Sequence, residues 1–201
     1  MKNMTVEAFC ALTESNEPAP GGGSVAALAG ALAASLAGMV ANLTIGREKY
    51  ADVEDEMKVM ESSANQLSKD LLDAITKDSE SFNEYMAAIK LPKETEEEKA
   101  ARRAAMQEGL KKAALVPLDT AKLAYDVMDY AELAISKGNS NAVTDGKTAL
   151  MMARTAVLAA GYNVKINLES IKDEEFVAKL SDEIETLEEN AKRREKEILG
   201  L

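Results

Sequence analysis

Gly21, Gly22 and Gly23 are followed directly by Ser24, and this run is the first place where the chain could bind a ligand. Glycines let a backbone approach a ligand closely, and the N-terminus of a helix that begins here would favour an anion. The run is not a phosphate-binding loop of the Walker type, because no Gly-Lys-Ser/Thr sequence follows it. A permissive connection that lets a buried helix pack would use the same glycines, so the residues alone leave binding and packing open.

A second polar loop precedes another predicted helix. It contains Asn139, Ser140 and Asn141, and Thr144 and Asp145 follow shortly after. These short side chains can hydrogen-bond both a ligand and the local backbone, and Asp145 would stand where a helix dipole favours a carboxylate. Ordinary helix capping accounts for the same composition, so binding and capping are both retained.

Lys77 and Asp78 form a third candidate pair. Asp78 lies four residues before Phe82, near the apolar side of a long predicted helix, where a carboxylate needs a partner. A solvated pair on a helix surface is the alternative explanation.

The sequence contains no histidine, which restricts the chemistry that it can perform. Serine–histidine and cysteine–histidine nucleophile pairs are excluded within one chain, and a zinc site would have to consist of carboxylates and one thiolate. We therefore expect no metal site. Acid–base chemistry would depend on Asp, Glu, Lys, Tyr or the single Cys10, tuned by burial or a neighbouring charge.

The chain of 201 residues is acidic, with a formal net charge of -11 and a pI of about 4.7. It lacks the basic field that general nucleic-acid binding needs, and an anionic substrate would require a locally basic pocket. One cysteine permits no intrachain disulfide, and the N-terminus lacks the pattern of a signal peptide. These features predict a cytoplasmic protein with a single domain, residues 1–201, and no nucleic-acid partner.

Apolar residues recur at helical spacing along almost the whole chain, so we predict an all-α bundle of about six or seven helices. The segment 25–45 is almost wholly apolar, and small residues recur at every fourth position from Ala26 to Asn42. It is long enough to span a membrane, but it is rich in Ala and Gly and has no basic flank. We therefore predict a long buried helix, in the bundle or at a subunit interface, and no membrane partner.

Local signals predict where these helices begin and end. Ser24 is expected to cap the long apolar helix, and Thr95 with Glu98 to form a capping box. Pro117 is expected to kink or split the helix that contains it. Residues 163–168 alternate weakly between polar and apolar side chains and are expected to be extended.

Several of these segments form an ordered set along the chain. They are Pro18 to Ser24, Met39 to Thr44, Lys49-Tyr50, Lys77-Asp78 with Phe82, Leu91 to Lys93, Gly138 to Asn141 with Thr144-Asp145, and Asn163 to Leu168. Each is weakly specific alone, but the set resembles the formiminotetrahydrofolate cyclodeaminase and methenyltetrahydrofolate cyclohydrolase family over nearly the whole chain. One departure is Thr144, where the family typically has serine; the hydroxyl is kept.

The resemblance implies an all-helical homodimer that acts on a tetrahydrofolate derivative and needs no cofactor. Cyclodeamination joins N10 to the formimino carbon on N5 and expels ammonia. Cyclohydrolysis adds water to the methenyl bridge and gives 10-formyl-tetrahydrofolate. Both reactions involve the same cyclic N5,N10 cation and a tetrahedral carbon, so one pocket could serve both. Because the chain is too short to hold a formiminotransferase domain as well, we expect the stand-alone form.

The resemblance also implies roles for individual residues. Asp145 and Asp78 would stabilise the cation and move protons, and Lys77 would keep Asp78 ionised or protonate the departing ammonia. The implied substrate-binding residues are the glycine loop, three amides that would meet the pterin and two lysines that would meet the glutamate tail: Gly21, Gly22, Gly23, Ser24, Asn42, Asn139, Asn141, Lys49 and Lys93.

Two other classes of function fit part of the sequence. A non-catalytic helical interaction or scaffold protein would explain the small-residue helix and the periodic apolar stripes equally well. It would not explain why a glycine loop and a polar loop both accompany helix starts. Another hydrolase or lyase on the same helical scaffold is the third possibility, and substrate profiling would separate it from a folate enzyme.

Overall fold

A computed structural model describes residues 1–201 and contains six α-helices and no strand. The helices are α1 (Val6–Glu14), α2 (Gly22–Thr44), α3 (Glu54–Ile89), α4 (Glu96–Lys137), α5 (Val143–Leu168) and α6 (Glu174–Leu199). Two short 3₁₀ helices, Glu48–Val53 and Ser140–Ala142, precede α3 and α5. The prediction of an all-α bundle of about six or seven helices is confirmed.

The apolar helix α2 is the centre of the bundle and packs against α3, α4 and α5. Its small residues make this close packing possible: Ala33, Ala34 and Ala37 are fully buried. A Cβ on Gly30 would lie 3.1 Å from Leu71 Cδ2, closer than nearly all real contacts. By length and composition α2 is the one helix that could cross a membrane, and its small-residue face is here buried by three neighbouring helices.

Helix α2 begins earlier than expected, and the prediction that Ser24 caps it is wrong. Gly21 is the N-cap, Gly22 is the first helical residue, and Ser24 lies fully buried inside the first turn. Its hydroxyl turns toward α3 and bonds Asp78 instead of the local backbone. A partner 54 residues away in the sequence therefore outweighs the local capping preference of serine.

Pro117 does not split its helix, because α4 runs unbroken for 42 residues. A proline cannot donate a hydrogen bond to the carbonyl four residues earlier, which here belongs to Ala113. Asn167 Nδ2 donates to that oxygen at 2.8 Å. A side chain from α5 thus supplies the missing donor and keeps the helix intact.

Residues 163–168 are the last turns of α5, so the expectation of an extended segment is wrong. Val164 and Leu168 are buried four residues apart, and Ile166 between them is exposed. That burial follows the period of a helix and not that of a strand. The capping box of Thr95 and Glu98, by contrast, is formed as predicted.

Candidate active site

The N-terminus of α2 opens into a cavity of about 320 Å³ that we call the glycine cleft. Its walls come from the loop before α2, from α3, and from the C-terminal turns of α5. Its lining includes Gly21, Gly22, Gly23, Asp78, Phe82, Asn163 and Asn167. The first N–H groups of a helix have no partner within the helix, and here the Asp78 carboxylate accepts the Ser24 N–H and offsets part of the positive charge at this end of α2.

Asp78 on α3 caps α2 from the side. Its Oδ2 accepts a hydrogen bond of 2.8 Å from the Ser24 hydroxyl, and its carboxylate also accepts the Ser24 backbone N–H. Burial raises the pKa of Asp78, and the hydrogen bonds from Ser24 partly offset that effect. A carboxyl held in this way can exchange a proton near a bound ligand more easily than an exposed one.

Gly23 is required by the position of Asp78. A Cβ at Gly23 would lie 2.7 Å from Asp78 Cγ, inside the distance at which real side chains meet. A Cβ at Gly22 would lie 3.1 Å from Asn163 Nδ2. Gly23 has no positive φ, so space for the neighbouring side chains, not backbone strain, is what requires glycine here.

Asn163 and Asn167 present acceptor oxygens to the glycine cleft. Asn163 Nδ2 donates to the Ala159 carbonyl, and Asn167 Nδ2 donates to the carbonyls of Ala113 and Asn163, all at 2.8 Å. Both N–H donors of Asn167 and one of the two of Asn163 are therefore used within the chain, and each amide has its Oδ1 left for a ligand. With the Asp78 carboxylate and the ring of Phe82, the cleft suits a flat, cationic ring that carries N–H donors.

A second cavity, of about 400 Å³, lies at the other end of α2, and we call it the tyrosine cleft. It is lined by Arg47, Glu48, Lys49, Tyr50, Asn139, Ser140 and Asn141. The Tyr50 hydroxyl accepts the Ser140 backbone N–H at 2.9 Å, which ties the segment after α2 to the loop before α5. Hydrogen bonds from Ser140, and then Lys49, lower the pKa of Tyr50 to about 8.

Within the tyrosine cleft, the side chain of Asn139 is committed to the fold. Its Nδ2 donates to the Leu43 carbonyl at 2.8 Å, and its Oδ1 accepts the Asn141 N–H at 3.0 Å. Of the two interpretations retained for this loop, helix capping is therefore the one that applies to Asn139. Asn141 is exposed and keeps its own amide free for a ligand, and Asp145 stands half-buried in the first turn of α5 at the same end of the bundle.

The remaining candidate residues lie elsewhere in the single chain. Lys77 is exposed and lines a separate groove between α3 and α4, so it does not contact Asp78. Asn42 lies in a groove between α2 and α3, and Lys93 is exposed in the connection between α3 and α4. The structure therefore groups Gly21 to Gly23 with Ser24 and Asp78, and groups Lys49 with Asn139 and Asn141, but leaves Lys77, Asn42 and Lys93 outside both clefts.

The two clefts are far apart within one chain. The 23 residues of α2 separate them, and at 1.5 Å per residue this is about 33 Å. One substrate molecule cannot bridge the two reacting centres unless a second chain brings them together.

Sequence reasoning did not assign Asn163 and Asn167 to the site. Their spacing of four residues places both on one face of a helix, so the signal was present. It was hidden because residues 163–168 were expected to be extended, and in a strand the two amides would be about 13 Å apart instead of one helical turn. Phe82 stands in the same relation to Asp78 on α3, four residues further along.

Comparison with known proteins identifies relatives along nearly the full chain. Residues 5–186 match the family model described as formiminotransferase-cyclodeaminase. The chain is 40% identical to a methenyltetrahydrofolate cyclohydrolase from Methylorubrum extorquens, over 92% of this chain and 89% of that protein. It is 34% identical to the rat formimidoyltransferase-cyclodeaminase over 98% of its own length, which is 36% of that larger protein.

A solved structure has the same fold. The crystal structure of formiminotetrahydrofolate cyclodeaminase from Thermotoga maritima superposes with a TM-score of 0.86 at 32% sequence identity. The match covers 99% of this chain and 97% of the other. The arrangement of helices around α2 is therefore shared by a protein of that description.

Proposed function

The chain belongs to the formiminotransferase-cyclodeaminase family, and from this membership and the glycine cleft we propose that it is an enzyme of folate one-carbon metabolism. It interconverts N5,N10-methenyl-tetrahydrofolate with 10-formyl-tetrahydrofolate, or forms the methenyl compound from 5-formimino-tetrahydrofolate with release of ammonia, or does both. The names of its relatives, a cyclohydrolase and several cyclodeaminases, support an enzymatic function of this class.

The observation that carries this proposal is the acceptor-rich wall of the glycine cleft. The pyrimidine part of a tetrahydropterin is flat and carries several N–H donors along its edge, and in the methenyl compound the adjoining five-membered ring is cationic. Asn163 and Asn167 offer oxygens to the donors, and Asp78 offers a carboxylate to the cation. A scaffold protein would have no use for acceptors left unpaired inside a cavity.

Asp78 can assist both reactions through the charge that they share. In each reaction the cyclic cation is either formed from an intermediate with a tetrahedral carbon or converted into one. A half-buried carboxylate stabilises the positive charge of that cation more strongly than water does. The raised pKa of Asp78 also suits it to take or give a proton during the reaction. Asp145, in the first turn of α5 at the end of the bundle that holds the tyrosine cleft, is proposed for the same kind of role.

We propose that two chains assemble into a homodimer through α2. Val25, Leu32, Met39 and Leu43 are exposed apolar side chains at intervals of seven and four residues, so they form one stripe on α2. If two stripes meet antiparallel about a two-fold axis near the middle of α2, the tyrosine cleft of one protomer lies against the glycine cleft of its partner. This arrangement would join the two clefts into one complete site.

In that site the polar ends of the substrate would meet different parts of the chain. The pterin would occupy the glycine cleft, with the exposed Asn141 of the facing tyrosine cleft at its margin, while Asn139 would hold that loop in place. Lys49 and the exposed Lys93 would meet the anionic glutamate tail, and Asn42 would remain in its separate groove between α2 and α3. The reactions need only the tetrahydrofolate substrate and no redox cofactor or metal. We propose a cytoplasmic location, because the substrates are soluble cellular metabolites.

The experiment that tests the function follows methenyl-tetrahydrofolate by its absorbance. Purified protein is added separately to 5-formimino-tetrahydrofolate and to methenyl-tetrahydrofolate. A rise with the first substrate, accompanied by ammonia, identifies a cyclodeaminase, and an accelerated fall with the second identifies a cyclohydrolase. No signal above the protein-free control with either substrate would refute the folate proposal.

The site is tested with Asp78→Asn and Asp145→Asn in the same assay. The dimer is tested with Leu32→Arg, which places a charge in the α2 stripe, by analytical ultracentrifugation. We expect a dimer for the parent and a monomer without activity for Leu32→Arg. A parent that sediments as a monomer and is fully active would contradict the shared site.

A further inference from the structure

Tyr50 stands at the centre of a hydrogen-bond network that no proposed role yet uses. Its hydroxyl accepts the Ser140 backbone N–H at 2.9 Å and lies 3.1 Å from Ser140 Oγ. Lys49 Nζ donates to Ser140 Oγ at 3.4 Å and lies 5.1 Å from the centroid of the Tyr50 ring. The Ser140 hydroxyl can accept from the neutral Tyr50 phenol and can donate to the phenolate, and Lys49 places a positive charge beside both oxygens.

When Tyr50 loses its proton, the Ser140 N–H and hydroxyl can both donate to the phenolate oxygen, and both bonds favour this ionised form. The other charged groups lining the tyrosine cleft are Arg47 and Glu48 on the same segment, and the facing loop contributes only the uncharged Asn139, Ser140 and Asn141. The pKa of Tyr50 falls from 10.0 to about 8. Its oxygen can alternate between phenol and phenolate near neutral pH while its position stays fixed by Ser140.

We propose that Tyr50 is a proton-transfer residue of the folate reaction and acts on substrate held in the glycine cleft of the partner protomer. The inference rests on the proposed function and on the α2 dimer, and it gives a role to Tyr50, which the proposed function leaves without one. It also assigns Lys49 to Ser140 and Tyr50, in place of the glutamate tail.

In cyclodeamination, Tyr50 begins as the neutral phenol. N10 bonds to the carbon of the formimino group, whose nitrogen already carries a proton from solvent, and the phenol then gives its proton to that nitrogen as its bond to carbon breaks. Ammonia leaves, the phenolate takes the proton that N10 loses, and the phenol is restored. The three hydrogens of ammonia are the original N–H hydrogen of the formimino group, one proton from solvent, and the proton from Tyr50, which N10 then replaces.

In cyclohydrolysis, Tyr50 begins as the phenolate. It takes a proton from water as the oxygen bonds to the methenyl carbon. It returns that proton to N5 as the bond from carbon to N5 breaks, and the remaining hydroxyl proton passes to solvent as the formyl C=O forms. The phenolate is restored, and one proton is released for each methenyl cation consumed.

These steps predict opposite pH profiles for the two reactions. Activity in cyclodeamination should fall as pH rises through about 8, and activity in cyclohydrolysis, net of the protein-free rate, should rise through the same value. In Tyr50→Phe we expect kcat to fall by about 10²–10⁴-fold with little change in KM, and the break near pH 8 to disappear. The matched control is Tyr130→Phe, whose half-buried ring packs in the core cluster at the same end of α2.

Ser140→Ala removes one donor and keeps the tyrosine, so it tests the network if Tyr50→Phe does not fold. The break should move upward, toward the ordinary tyrosine pKa of about 10. Activity of Tyr50→Phe within threefold of the Tyr130→Phe control, or an unmoved break in Ser140→Ala, would overturn the proposal. A parent without folate activity would instead refute the proposed function.

Subunit mixing tests whether Tyr50 acts across the dimer. Asp78→Asn and Tyr50→Phe are each expected to be nearly inactive alone. After the two are unfolded together and refolded, about a quarter of the parental activity should return, because half of the dimers are mixed and each has one intact site. No recovery, in mixtures that contain mixed dimers by mass spectrometry, would place Tyr50 outside the partner's site and overturn the proposal.

Discussion

Replacing Gly23 with alanine should separate the packing role of the glycine loop from its effect on helix stability. Gly23 is a helical residue of α2, where alanine normally stabilises by about 1 kcal/mol. The new Cβ would lie 2.7 Å from Asp78 Cγ, so Asp78 must move away. Movement of Asp78 breaks its hydrogen bond with Ser24, which as a bond to a charged group is worth about 1.5–3 kcal/mol.

The two effects oppose each other, and the loss is the larger. We expect Gly23→Ala to lower the free energy of unfolding by about 0.5–2 kcal/mol, from the difference between the two contributions. The decrease in activity should be much greater than this, because the substitution displaces the carboxylate that we place next to the cation. Urea unfolding at one protein concentration measures the first effect, and the absorbance assay measures the second.

Gly38→Ala is the matched control for stability on the same helix. A Cβ there would lie 3.7 Å from Ala64 Cβ, an ordinary contact, so only the gain of about 1 kcal/mol in helix propensity remains. The two alanine variants should therefore change stability in opposite directions. If Gly23→Ala were as stable as Gly38→Ala and retained full kcat, the contact between Gly23 and Asp78 would not be what shapes the cleft.

Three further substitutions test separate parts of the same reasoning. Because burial raises the pKa of Asp78, the parent loses stability as pH rises from the ordinary carboxyl pKa of about 3.9 through the higher pKa of the folded state. Asp78→Asn does not ionise, so urea unfolding should show its stability gaining on that of the parent between about pH 3.9 and neutral pH. Gly161→Ala would place a Cβ 3.0 Å from Cδ of the buried Glu188 and should destabilise by about 1–3 kcal/mol without lowering kcat, since Glu188 lies away from both clefts. Pro117→Ala restores a backbone N–H that competes with Asn167 Nδ2 for the Ala113 carbonyl. The Asn167 side chain would then be held less firmly in the glycine cleft. Substrate affinity, measured by titration, should weaken, while helix content by circular dichroism is maintained.

The sequence predicts the helices well because the apolar period of a helix is a local property. The capping box at Thr95 is likewise complete within four residues and is formed as expected. Ser24 shows where local reasoning ends, because a serine after a loop resembles an N-cap until the buried Asp78 on another helix becomes visible. The same limit applies to Pro117, whose effect depends on a donor from α5.

The candidate site could be predicted only in part for the same reason. The glycine run and Asp78 were singled out from their types, and the structure brings them together. Asn163 and Asn167 were missed because the period of their segment was misread. The link between Tyr50 and Ser140 joins residues 90 positions apart, so no local pattern contains it.

The distribution of charge explains how an acidic chain can accept a folate. The net charge of -11 would repel the glutamate tail of the substrate over the surface as a whole. The reacting ring, however, carries the opposite sign, and the glycine cleft meets it with a carboxylate and two amide oxygens. Arg47 lines the other cleft together with Glu48 and with the Lys49 that contacts Ser140, so a site assembled from both clefts would offer a cation to the glutamate tail as well as a carboxylate to the ring. The lining of the glycine cleft contains no lysine or arginine for the glutamate tail, which is the electrostatic reason to expect that a second chain contributes to each site.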